Sequence, residues 1–321
     1  MMITFRHLRY FEALSRHRHF GRAAEECSVT QPALSMQMRE LETLLGTPLI
    51  ERRRGDVQLT EVGHEVARRA RDILATVLDL TEFTRRTSGP LSGPFVLGAE
   101  PSIARYLIPD TLPQIKAGFP ALELTLRETM TGALVGELIA GRIDAILVSL
   151  PLEHPDVETL PLFDEHLLYV TPTQSPGDLP SHMLTPSLVA ADQLVLLEDG
   201  HSLREQILSY CNVPPALVRQ QNGASNLSTL VQLIANGYGV TLLPEMAAAV
   251  EAAEESRVSL SRFRDPVPLR TIGLAWRRSS PRTSDFHALG EIIGSAGHQL
   301  IERCRRRLPL VEEIQPTRIA S

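Results

Sequence analysis

FGRAAEECSVTQPALSMQMRELETLLG, residues 20–46, constrains the chain more than any other stretch. Ala23 and Ala24 mark the inner face of a short helix over residues 20–27, where small side chains let a neighbouring helix come close. Ser28 and Val29 make a turn, and Thr30 is placed to N-cap the next helix. Pro32 falls in that helix's first turn, where a missing N–H is no loss. Leu34, Met38, Leu41 and Leu45 form one apolar stripe, which Gly46 ends. Gln31, Ser35, Met36 and Arg39 lie on the opposite face, and Leu8, Phe11 and Leu14 give the preceding helix a single apolar side. The pattern, a short helix, a tight turn and a second helix with a polar N-terminal face, predicts a helix-turn-helix.

Residues 49–59 read as two strands about a Gly-Asp turn, with Arg52, Arg53 and Arg54 at the tip: a wing placed to touch backbone phosphate. Thr60 then caps a helix of about 25 residues, roughly 37 Å long. Its stripe of Val62, Val66, Ala70, Ile73, Val77 and Leu80 is too long for a small domain to cover, so a second copy of the chain is expected to cover it. The net charge of −6 argues against a nucleic-acid partner until its distribution is considered. Through Pro90 there are 14 arginines against 12 acidic residues, while the remainder holds 18 basic and 26 acidic ones. Basic character is therefore local to the segment that carries the helix-turn-helix.

The run FRHLRYFEALSRHRHFGRAAEECSVTQPALSMQMRELETLLGTPLIERRRGDVQLTEVG resembles, in order and spacing, the N-terminal module of the LysR-type transcriptional regulators. The resemblance implies that Thr30, Gln31, Pro32 and Ser35 sit at the major groove. Met36 stands where family members often carry arginine, and Arg39 is placed to compensate.

SGPLSGP, residues 88–94, reads as a hinge. Strand and helix patterns then alternate as βαβαβ: PFVLGAE, SIARYLIPDTLPQIKAGFP, LELTLRE, GALVGELIAGRI and DAILVSL. A second cycle follows through HLLYVTP, QLVLLED, a helix at Leu203 and NLSTLVQLIANGYGVTLLPEMAA, and PLRTIGLAWRR is a strand able to return to the first sheet. The expected organisation is α/β throughout. A winged helix-turn-helix DNA-binding domain covers residues 1–60, and a linker and dimerisation helix covers 61–89. An effector domain resembling the two-lobed periplasmic-binding-protein fold covers 92–321, with lobe I at about 92–165 and 269–307 and lobe II at about 166–268. Sites in such folds lie at strand C-terminal ends, here Glu100-Pro101-Ser102, Glu128 to Thr131 and Gly200-His201-Ser202.

The N-terminus has no signal-peptide pattern, and no stretch approaches the ~20 apolar residues of a membrane span, so a cytoplasmic protein with no membrane partner is expected. Cys27, Cys211 and Cys304 are too scattered for a disulfide framework or a zinc cluster. The sequence has no Gly-rich phosphate loop, HExxH or G-x-S-x-G. An enzyme, a metal site and a cofactor are not expected.

LEDGHSLREQILSYC, residues 197–211, raises a sharper question. Locally, Ser202-Leu203-Arg204-Glu205 reads as a capping box, with Leu203, Ile207 and Leu208 facing the core and Cys211 a buried thiol. Together with LFDE (residues 162–165), TLLP (241–244) and RTIGL (270–274), however, the segment resembles the peroxide-sensing branch of the LysR family. In that branch a reactive cysteine follows Gly-His at the helix start and its redox partner lies nine residues on. Here the partner position is Cys211 and the reactive one is Ser202. A thiolate at a helix N-terminus, near His201 and Arg204, would be nucleophilic, whereas a serine hydroxyl cannot enter the oxidation ladder. Nine helical residues span roughly 13 Å, whereas a disulfide needs Cα atoms within about 7 Å, so closing such a pair requires the helix to unravel. With Ser202 that reaction is blocked and a reduced-like arrangement is expected. The resemblance also implies a small polar peroxide pocket formed by Ser102, Thr131, His201, Ser202, Arg204, Gln206 and Arg270.

The expected function is a LysR-type regulator of the hydrogen-peroxide response. Its expected partners are a pseudo-palindromic DNA duplex, a second copy or three more of itself, RNA polymerase, and hydrogen peroxide as signal. The alternatives are a LysR regulator answering to a small organic acid without redox chemistry, and a solute-binding protein, which the helix-turn-helix disfavours.

Overall fold

The computed structural model describes residues 2–53, 56–85, 91–173, 184–217 and 223–308. The chain divides into two compact units, the first chiefly Met1–Thr87 and the second chiefly Ser88–Leu138, Ile143–Arg278 and Arg282–Ser321.

In the first unit, α1 (Phe5–His17) starts at Thr4, whose hydroxyl accepts from the His7 N–H while the His7 ring accepts from the Thr4 N–H. Helix α2 (Phe20–Glu26) is capped by the His19 ring, which accepts from the Gly21 and Arg22 N–H groups. Ser28 takes the left-handed turn between α2 and α3, with φ of 56°. Helix α3 (Gln31–Leu45) has Thr30 as its N-cap, accepting from the Ala33 N–H, and ends at Gly46 with φ of 69°. Leu34, Met38 and Leu41 are buried with Phe11, Leu14, Ala23 and Ala24 in one core. Strands β1 (Ile50–Arg53) and β2 (Asp56–Leu59) pair antiparallel as a wing. A carboxylate oxygen of Glu42 on α3 accepts from the Leu49 and Ile50 N–H groups, which ties the wing to that helix. Helix α4 (Glu61–Arg85) follows, with the Thr60 hydroxyl accepting from the Gly63 N–H.

The second unit begins with the expected βαβαβ: β3 (Gly93–Ala99), α5 (Pro101–Gly118), β4 (Leu122–Glu128), α6 (Thr131–Ile139) and β5 (Ala145–Leu150). Strand β3 lies between β4 and β5, parallel to both. Strand β6 (Val157–Pro172) has 16 residues, about 53 Å at ~3.3 Å per residue. Then come β7 (Leu196–Leu197), α7 (Ser202–Cys211), β8 (Gly223–Ala224), α8 (Leu227–Ala235), β9 (Thr241–Pro244) and α9 (Glu245–Glu251). Strands β10 (Val258–Ser261) and β11 (Leu269–Arg277) and helix α10 (Thr283–Arg307) complete the unit. Strand β11 returns antiparallel between β5 and β6, as expected. The first part of β6 pairs with β11, and its last part pairs with β9 and β10. One strand thus belongs to both halves of the effector unit, a mixed α/β architecture that fits the two-lobed periplasmic-binding-like fold. The QLVLLED segment contributes less strand than its apolar run suggests: Leu196 and Leu197 pair with β8, and Leu194 makes a single parallel bridge to Val240. The start of the hinge segment, through Pro90, and the wing tip at Arg54 and Gly55 lie outside the described residues.

Candidate functional site

Two groups of residues carry chemistry, one in each unit. In the first, Gln31, Pro32, Met36 and Arg39 are exposed on α3, Thr30 is exposed at its cap, and Ser35 is half-buried. Met36 keeps 62% of its surface, the mark of a side chain its own core does not use. The apolar stripe fixes this presentation, because burying Leu34, Met38 and Leu41 turns positions 36 and 39 outward, while Gln31 is exposed as the first residue of the helix. Arg52 and Arg53 belong to β1, and Arg54 lies outside the described residues.

In the second unit the chemistry gathers where strands end and helices begin. Glu100 follows β3 and is 2% exposed. Its Oε1 accepts from the Thr131 hydroxyl at 2.8 Å, and its Oε2 accepts from Ser149 at 3.2 Å and Ser202 at 2.6 Å. Two residues on, the Ser102 hydroxyl accepts from Arg270 Nη1 at 2.9 Å, and the Ser102 carbonyl accepts from Arg270 Nη2 at 3.0 Å. The same guanidinium donates from Nε to Glu165 Oε1 at 2.6 Å, and both side chains are wholly buried. Burial pushes the Glu165 carboxyl above its ordinary range, against the pull of Arg270. The Met246 N–H donates to the other Glu165 oxygen at 3.2 Å.

Of the seven expected pocket residues, Ser102 and Arg270 are brought together by two hydrogen bonds, and Thr131 and Ser202 through Glu100. His201 is buried immediately before Ser202, and its Nε2 has no hydrogen-bond partner. Burial holds that imidazole below its ordinary range, with the Glu198 and Glu100 carboxylates opposing. Arg204 donates to the Leu197 carbonyl and pairs with Asp199, and no hydrogen bond joins it to the Glu100 group. Gln206 Oε1 is buried without a partner and is likewise not joined to that group.

The capping box expected at Ser202 is corrected. His201 is the N-cap and makes no side-chain cap, while Ser202 is the first helical residue and donates its hydroxyl to Glu100 instead of accepting from an amide. Ser202 has already entered the helix, so its hydroxyl does not stand at the cap position, and the Glu100 carboxylate at 2.6 Å gives it a charge-assisted acceptor. The helix itself is as expected: it runs from Ser202 to Cys211 with Leu203, Ile207, Leu208 and Cys211 buried. Cys27, Cys211 and Cys304 are all free and buried. Burial pushes the Cys211 thiol up to about 11, so it is protonated and weakly nucleophilic at neutral pH.

The sequence reading marked Glu100 as a strand-end candidate without giving its carboxylate a role, and it passed over Ser149. The available signal was a carboxylate directly before the Pro101 helix start, a position where an anion is favoured. Among the described residues no cluster of His, Cys, Asp and Glu could hold a metal ion, and no helix is long and apolar enough to cross a membrane.

Comparison with known proteins gives two family matches. Residues 5–64 match the bacterial regulatory helix-turn-helix protein, lysR family, and residues 88–297 match the LysR substrate binding domain. The chain is similar to the probable hydrogen peroxide-inducible genes activator of Streptomyces viridosporus, 38% identical over 93% of this chain and 96% of that protein. It is 36% identical to the DNA-binding transcriptional dual regulator OxyR of Escherichia coli over 91% of this chain and 95% of that one. Among solved structures it is similar to full-length OxyR C199D from Pseudomonas aeruginosa, with a TM-score of 0.69, 33% identity, and coverage of 91% of this chain and 95% of that one.

Proposed function

Because the chain belongs to the LysR family, whose members are transcription regulators and not enzymes, we propose that it is an OxyR-like oxidative-stress regulator without a disulfide switch. One observation carries the second part. The residue at the start of α7 is Ser202, its hydroxyl is held by the buried Glu100 carboxylate, and Cys211 lies at the other end of an intact helix. No sulfur stands at position 202 to be oxidised, and the chain stays in one arrangement, the reduced-like one. The pocket formed by Ser102, Thr131, His201, Ser202, Arg204, Gln206 and Arg270 is proposed as its effector site, with Glu100 and Ser149 added.

Binding through residues 30–39 and the wing arginines to a pseudo-palindromic duplex follows from the family, as does self-association as dimer or tetramer. Contact with RNA polymerase is proposed on the same basis. The exposed apolar residues Val62, Ile73 and Leu80 on α4 support self-association. The alternative in which a small organic acid is the inducer is opposed by Glu100, which brings a negative charge to the hydroxyls an acid would need. The solute-binding alternative is set aside by the helix-turn-helix match.

The test is a footprint of the full-length protein on a duplex it selects from random sequence, before and after hydrogen peroxide. The expected footprint is the same in both and weakens steeply with salt, as phosphate neutralisation requires. A footprint that shifts with peroxide and reverts with a thiol reductant would refute the reading.

A further inference from the structure

Three helices begin at the same carboxylate. Glu100 stands one residue before α5, Thr131 is the first residue of α6, and Ser202 is the first of α7. A helix start carries unpaired N–H groups and partial positive charge, so each of the three favours an anion. Helix starts alone would not make a site. Here hydroxyls from α6, β5 and α7 also close on the Glu100 oxygens at 2.8, 3.2 and 2.6 Å. The nearby guanidinium of Arg270 is already committed to Glu165 and Ser102. Buried His201, next to Ser202, adds a nitrogen that nothing satisfies. The arrangement has the donors of a carboxylate receptor, and its occupant comes from the same chain.

We infer that the site is a small-carboxylate receptor filled by a tethered ligand of its own, the Glu100 side chain. Ser202 lies 102 residues from Glu100 in sequence, so their contact holds the start of α7 to the end of β3 with no external molecule. Tethering makes the occupancy intramolecular, and a free acid meets both a filled volume and a like charge. The inference deepens the reading above by naming what holds the single arrangement. It relies on that reading only for the DNA readout.

The full-length Glu100→Ala protein tests it, with sodium acetate as probe against sodium chloride at equal ionic strength. Calorimetry is expected to show saturable acetate binding to the variant with Kd of about 1 mM, as suits a ligand of four non-hydrogen atoms, and none to the wild type. Acetate is also expected to raise the variant's thermal midpoint and return its footprint to the wild-type pattern. A folded variant that treats acetate as it treats chloride overturns the inference, as does a wild type that binds acetate equally well. Glu100→Gln keeps the volume and removes the charge. It should ignore acetate and share the alanine variant's footprint. Should the alanine variant fail to fold, a wild-type footprint from Glu100→Gln overturns the inference and an altered one supports it. A peroxide-dependent footprint would instead refute the redox-silent reading and leave the acetate result untouched.

Discussion

Ser202 and Glu100 set each other's chemistry. Suppose residue 202 became cysteine: the start of α7 would stabilise its thiolate by up to ~2 kcal/mol, while a carboxylate at hydrogen-bond range would oppose it by roughly 4 kcal/mol at an effective dielectric of ~20. The carboxylate wins. Ser202→Cys is therefore expected to react slowly with hydrogen peroxide, and Ser202→Cys with Glu100→Ala at least about tenfold faster, measured by stopped-flow thiol consumption. Equal rates would show that the carboxylate does not govern position 202. His201 makes a second prediction. Its folded pKa lies below the unfolded value of about 6.5, so the unfolded chain binds more protons as pH falls through that value, and stability drops. Between about pH 7.5 and 5.5 the wild-type urea midpoint should fall more than that of His201→Gln, with His166, also depressed by burial, supplying the slope that remains. At this scale the sequence made Ser102, Thr131, Ser202 and Arg270 visible as polar residues at strand and helix ends. It could not show which acceptor each would choose, because Glu165 lies 105 residues from Arg270.

Helices were the most legible elements, because a 3.6-residue apolar period states both a helix and its inner face. Helix α3 followed from Thr30, Pro32, the Leu34 stripe and Gly46, and helix α7 from Leu203, Ile207 and Leu208. The capping box failed because Ser202-x-x-Glu205 is a local pattern and the winning acceptor was distant. Strands β7 and β8 were less legible, since a buried apolar run does not reveal how much of it pairs. Helix α4 carries a prediction of its own. Val62 is 45%, Ile73 48% and Leu80 65% exposed, on a helix whose stripe also includes the buried Ala70. Glutamate at both Ile73 and Leu80 is expected to lower self-association in sedimentation, and to weaken binding to a two-half-site duplex by about 100-fold or more through lost avidity. Unchanged sedimentation would remove α4 from the interface.

At the scale of the whole molecule, the arginine surplus through Pro90 and the acidic balance beyond it separate a DNA-binding end from an effector end. The family resemblance made that division legible, and composition alone, at net −6, would have hidden it. The continuity of β6 through both halves of the effector unit was not legible, because the polar run Asp164-Glu165-His166 interrupts its apolar residues where the sequence suggested a boundary near residue 165. A switch of the kind Ser202 forecloses would have to unwind α7 to bring positions 202 and 211 together. Hydrogen exchange over residues 202–211 of the full-length protein on DNA, with and without hydrogen peroxide, tests that most directly. Unchanged protection is expected. Loss of protection on peroxide addition, regained with reductant, would contradict the account.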